Sequence, residues 1–141
     1  MQPLYQTLED TQVLDTVIKE ISQTKQKLVL VEAEEDGSQV RPNQLYFETL
    51  RLLAQNGVKI FRWYFGSIES YELRRKNAPF IHWVYAGKLQ NYQRAIMIDN
   101  QKAFLKIGRQ FLLSEHKNMI SLLKTYLQQC AAEEMKKRLR L

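Results

Sequence analysis

The run Leu28-Val29-Leu30-Val31 constrains this chain more than any other stretch. It is short, half β-branched and apolar at every position, so as a strand it has no face fit for water. It has to lie inside a sheet that is covered on both sides. Upstream, Val13, Leu14, Val17, Ile18 and Ile21 recur at three- and four-residue steps, as along one side of a helix that Asp10 or Thr11 can cap. Downstream, Pro42 and Asn56-Gly57 bracket a second helix, 43–55, whose apolar side includes Tyr46, Phe47, Leu50, Leu53 and Ala54. Residues 58–65 again have strand composition. Strand, helix, strand in that order predicts a parallel βαβ unit.

The pattern then shortens. Gly66-Ser67 leads into a helix with Ile68, Tyr71 and Leu73 that ends in Arg74-Arg75-Lys76 and is stopped by Asn77-Ala78-Pro79. From Phe80 onward we expect strands over 80–85, 94–98 and 102–107, with Asp99-Asn100-Gln101 as a hairpin turn. A long helix over 114–136 follows, carrying Met119, Ile120, Leu123, Tyr126, Leu127, Cys130 and Ala131 on the side expected to pack against the sheet. The expected fold class is α/β, a mixed sheet flanked by helices on both faces. With 141 residues, 45% of them hydrophobic, the chain supports one core, so we expect a single domain over 1–141 with a basic tail at 136–141.

Several functions are argued against by what is missing. There is no apolar run of the roughly 18 residues a membrane span needs, and Met1-Gln2-Pro3-Leu4-Tyr5 lacks the blocks of a secretory signal, which makes the cytoplasm the expected address. No Cys/His zinc spacing, Gly-rich phosphate loop or Ser nucleophile elbow occurs, so no metal and no cofactor is expected. The single cysteine, Cys130, falls on the apolar side of the last helix and reads as packing. Glu32, Glu34, Glu35 and Asp36 read as a solvated acidic loop before the Gly37-Ser38 turn. His82 lies in an aromatic strand, where a partly buried, hydrogen-bonded imidazole is expected. His116 is expected in the exposed first turn of the last helix. The formal charge of +6 suits an anionic partner, although Lys136, Lys137, Arg138 and Arg140 supply much of it. Arg74-Arg75-Lys76 beside Trp63, Tyr64, Phe65 and Tyr71 reads either as a basic, aromatic surface for single-stranded nucleic acid or as a solvated helix end.

One short constellation carries more. Tyr92, Arg94 and Asp99 stand at the spacing Tyr-x-Arg-x-x-x-x-Asp, with Gly108 further on. This resembles a degenerate form of the His-x-Lys-x-x-x-x-Asp signature of the phospholipase D superfamily, and the order of elements over roughly 10–130 is similar to that fold as well. The closing run Met135 to Leu141 is similar to that of a group of small bacterial proteins with a comparable domain, standing alone or after a GNAT-type acetyltransferase domain whose coenzyme loop this chain lacks. The resemblance implies a phospholipase D-like sheet. It also implies loss of the family's reaction, because Tyr92 replaces the histidine nucleophile and a phenol with a pKa near ~10 is a weak one at neutral pH. Arg94 keeps the positive charge and suits a phosphate or carboxylate. Asp99 either shapes that site or simply opens the hairpin turn. Since single-motif members build one site across two chains, the resemblance implies a homodimer. The expectation is therefore a non-catalytic binding or accessory domain. Its ligand would be an anionic small molecule or a protein partner, held at Tyr92, Arg94 and Asp99. The alternative is a nucleic-acid-binding protein or residual phosphodiesterase.

Overall fold

A computed structural model describes residues 5–8, 13–33, 44–88 and 92–139. Among these residues eleven elements follow one another: β1 (Gln6–Leu8), α1 (Val13–Ser22), β2 (Lys27–Ala33), α2 (Gln44–Gln55), β3 (Lys59–Phe65), α3 (Ile68–Asn77), β4 (His82–Gly87), β5 (Ala95–Ile98), β6 (Lys102–Ile107), β7 (Gln110–Ser114) and α4 (Lys117–Leu139). The strands form one sheet in the order β1-β7-β6-β5-β2-β3-β4. β2, β3 and β4 run parallel, and the other pairings are antiparallel. The β2-α2-β3 unit is thus the expected parallel crossover.

Alternation along each strand divides the core into two layers. Leu28 and Leu30 of β2, Ile60 of β3, Ile98 of β5 and Phe104 of β6 pack against Val17 and Ile21 of α1 and Leu50 and Leu53 of α2. On the other face Val29, Val31, Phe65, Ala95, Met97 and Leu105 pack against Ile120, Leu123, Leu127 and Cys130 of α4. Tyr71 of α3 meets the rings of Tyr64, Trp83 and Tyr85, which puts α3 on the side of α1 and α2. The sheet is therefore covered on both faces, as the all-apolar β2 requires. At the end of α2, Gly57 has φ +90°, and the amides of Gly57 and Val58 donate to the carbonyls of Ala54 and Leu53. A left-handed residue there closes the helix, in a backbone conformation that glycine adopts without strain.

The structure departs from the expectations at several points. β1 and β7 were not foreseen. The last helix begins at Lys117, because Ser114 completes β7, pairing with Ala103. Tyr85 is followed by two more strand residues, while Phe80 and Ile81 precede β4. Lys136, Lys137 and Arg138 form the last turn of α4 rather than a separate tail, and Arg138 lies 5.0 Å over the ring of Tyr85. The expected cap at Asp10 or Thr11, the turn at Gly37-Ser38, Pro42, Glu34, Glu35, Asp36 and Arg140 lie outside the described residues. No helix among the described residues is long and apolar enough to cross a membrane.

Candidate functional site

β5 runs antiparallel to β2, with Val31 opposite Ala95, so the chain entering β5 arrives at the carboxyl end of the parallel strands. Open α/β sheets bind ligands at such an end, where the sense of the sheet changes. Tyr92, Gln93 and Arg94 occupy this entry. The Tyr92 ring meets Phe65 edge-on at 5.7 Å and belongs to the layer under α4. Arg94 is exposed, with its guanidinium carbon 6.0 Å over the ring of Phe111 in β7. Lys106 of β6 brings its Nζ to 5.4 Å over the same ring. The Lys106 amide donates to the Arg94 carbonyl at 3.2 Å, and Gln93 Nε2 donates to the Lys106 carbonyl at 2.6 Å. Strand pairing thus brings two cations within 6.0 Å of the centre of one aromatic ring.

Lys106 was not recognised from the sequence. Its partnership with Arg94 depends on the β5–β6 register, which puts residues twelve apart opposite each other. Tyr92 and Arg94 come together only as chain neighbours, since the first packs into the α4 layer and the second sits over Phe111.

Asp99 lies at the far end of β5, about 17 Å of extended chain from Arg94 at ~3.4 Å per residue. It and Asn100 have φ of 52° and 58°, forming a two-residue turn of the kind that joins twisted antiparallel strands. Its carboxylate accepts from the amides of Lys25, Gln26 and Lys27 at 2.8, 2.8 and 2.9 Å, and its own amide donates to the Lys27 carbonyl at 2.8 Å. Desolvation pushes this carboxyl up, but the three amides and the charge of Lys25 outweigh it and hold the pKa below the ordinary carboxylate value. Asp99 clamps the α1–β2 joint to the β5–β6 hairpin.

A third group was misread from sequence. Glu32 is not in a solvated loop. It stands on β2 in step with Leu28 and Leu30, and its side chain is only 15% exposed. It accepts from Nη1 of Arg74 in α3 and lies 3.4 Å from Nη1 of Arg62 in β3. Arg62 lies over the Trp83 ring and Arg74 over that of Tyr64. Two cations thus share one carboxylate, while Glu32 Oε2 and Arg62 Nε are buried without a hydrogen-bond partner. The signal was present in the period-two alternation through residue 32.

The remaining candidates take structural places. His82 is exposed and stacked on Phe61, contrary to the expected partly buried imidazole. His116 precedes α4 rather than sitting in its first turn, and is half-buried. Its Nδ1 accepts from the Asn118 amide at 3.1 Å, capping the helix. A cavity of about 530 Å³ beside it is lined by Gln101, Lys102, Glu115 and Lys117. Lys102 there bonds Glu20 at 2.8 Å, which with the nearby carboxylates raises its pKa despite partial burial. Burial likewise pushes the Cys130 thiol up, in keeping with a packing role. Among the described residues no group of three His, Cys, Asp or Glu is placed to hold a metal ion. The sequence-level grouping of Arg74-Arg75-Lys76 with four aromatics is divided by the sheet. Tyr64 packs against Tyr71 of α3, whereas Trp63 and Phe65 belong to the α4 layer.

Neither protein-family models nor curated proteins match this sequence. Solved structures do match in fold. NucT from Helicobacter pylori superposes with a TM-score of 0.59 at 17% identity, over 89% of this chain and 92% of its own. Nuc from Salmonella typhimurium, a phospholipase D family member, gives 0.63 at 11% identity, over 89% and 91%. TrmBL2, an archaeal chromatin protein with a novel mode of DNA binding, gives 0.66 at 10% identity over 90% of this chain, which spans 49% of that protein. The chain shares its fold with these proteins, one of them a phospholipase D family member.

Proposed function

We propose that this chain is a phospholipase D-like domain that binds a phosphate-bearing anion through Arg94 and Lys106 and does not perform the superfamily's phosphoryl transfer. The observation that carries the reading is the pair of cations set across β5 and β6 on the ring of Phe111. Tyr92, in the nucleophile position, supports the loss of transfer chemistry. It is packed against Phe65 in the layer under α4, and a phenol with a pKa near ~10 is a poor nucleophile at neutral pH. In this reading Tyr92 and Asp99 shape the site at a distance, Tyr92 by supporting the entry to β5 and Asp99 by fixing its exit. A homodimer and a cytoplasmic setting, expected from the sequence, belong to the same reading.

Nucleic acid is the phosphate-bearing ligand favoured by a specific observation. A chromatin protein with DNA-binding activity shares the fold, and this chain carries a net +6. Titration with a duplex oligonucleotide at several salt concentrations tests the proposal. The Arg94→Ala variant is expected to bind about tenfold more weakly, from loss of a charge-assisted contact. Neutralising Lys136, Lys137 and Arg138 is expected to flatten the salt dependence while leaving the effect of Arg94→Ala in place. Unchanged affinity for duplex and for inorganic phosphate in Arg94→Ala would remove the site assignment.

A further inference from the structure

On its face of the sheet α4 packs over Val29, Val31, Phe65, Ala86, Ala95, Met97 and Leu105. Towards the amino ends of the parallel strands the described residues leave the same face partly exposed. Phe61 and Trp63 of β3 and Val84 of β4 are half-buried, and His82 is exposed. Phe61 and His82 sit opposite each other across β3 and β4, their rings 5.0 Å apart and inclined by only 27°. Lys27 of β2 brings its Nζ to 5.1 Å from the Phe61 centroid on the same face, and Lys59 stands opposite Lys27 in register. Reading every second residue of β2, β3 and β4 gives Lys27, Val29, Val31 and Ala33, then Lys59, Phe61, Trp63 and Phe65, then His82, Val84 and Ala86. No carboxylate stands among them.

We infer that this partly exposed face is a binding surface for single-stranded nucleic acid, separate from the Arg94–Lys106 site and independent of it. A single strand offers unpaired bases with apolar π-faces and a phosphate at every step. Flat rings held in a row by strand register, flanked by lysines, match both features. Charge decides the occupant. A second copy placed here about a two-fold axis would set Lys27 and Lys59 near their own equivalents, whereas a polyanion neutralises them. The outer ring of the row, His82, lies on the edge strand and remains open to a stacked base.

The test uses fluorescence anisotropy with a labelled oligo-dT and an oligo-rU of about 12 nucleotides, a length within single-strand site sizes. Phe61→Ala is expected to weaken binding about tenfold, the loss of roughly one stacked base. His82→Ala, at an exposed position where folding is not at stake, is expected to weaken it several-fold. Lys27→Gln with Lys59→Gln should reduce the salt slope by about 1.4, at ~0.7 per phosphate contact on a single strand. Arg94→Ala should leave these effects in place. Equal affinity of the wild type, Phe61→Ala and His82→Ala for both oligonucleotides, or no binding by the wild type at low salt, overturns the inference. Failure here leaves the Arg94 titration to stand or fall by its own result.

Discussion

The Glu32→Ala variant is expected to lose about 3 kcal/mol of folding stability, a typical result of removing one partner from a largely buried ion cluster. The side chains of Arg62, Arg74 and Glu32 are 13%, 25% and 15% exposed, so both guanidinium groups would keep their charge with little water to screen it. The intact cluster contributes much less than this, because Glu32 Oε2 and Arg62 Nε are desolvated without a hydrogen bond in return. Replacing Glu32 and Arg62 together by leucine should therefore recover most of the loss, although Arg74 then needs solvent as its partner. Urea denaturation of the wild type, the single and the double variant makes the comparison. A loss under ~1 kcal/mol in Glu32→Ala would place the cluster in the range of exposed ion pairs and remove the argument.

Asp99→Ala is expected to cost about 2–3 kcal/mol. It deletes the charged acceptor of three backbone amides and puts alanine at a φ of 52°, where Asp and Asn are tolerated better. Asp99→Asn should cost less, since one amide oxygen and the turn preference survive. The pH dependence follows from the depressed pKa. The folded state binds the Asp99 proton more weakly than the unfolded chain, so the clamp contributes in full above the ordinary carboxylate range, near ~4. Its contribution fades as pH falls through the lower folded value. The wild type should thus lose stability with acid more steeply than Asp99→Asn below about pH 4–5. Parallel curves for the two proteins would show that Asp99 holds no charge-dependent contact.

Much of the layer architecture was legible because it is written in short-range patterns. An apolar run with no polar face implied a doubly covered β2, and helix stop signals around Asn56-Gly57 implied the return to β3. β1 was hidden for the opposite reason. Gln6-Thr7-Leu8 has no strand pattern of its own and is ordered by pairing with Leu113, Leu112 and Phe111, more than a hundred residues away. β7 was absorbed into the approach to α4 because Phe111-Leu112-Leu113 is too short and apolar to choose between strand and helix. The site divides in the same way. Arg94 was visible through its spacing, whereas Lys106 and Phe111 join it through cross-strand register, which a one-dimensional reading does not supply. Asp99 was correctly foreseen as a turn residue. Its grip on the amides of Lys25 to Lys27 needed the β2–β5 pairing that brings the two segments together.

The most direct test of the Arg94–Lys106 site is a calorimetric double-mutant cycle, titrating a short phosphodiester oligonucleotide into the wild type, Arg94→Ala, Lys106→Ala and the double variant. Two cations sharing one phosphate predict a loss of about tenfold in each single variant, and a double-variant loss smaller than the product of the two, because either removal already breaks the shared contact. Wild-type affinity in the double variant would contradict the proposed site.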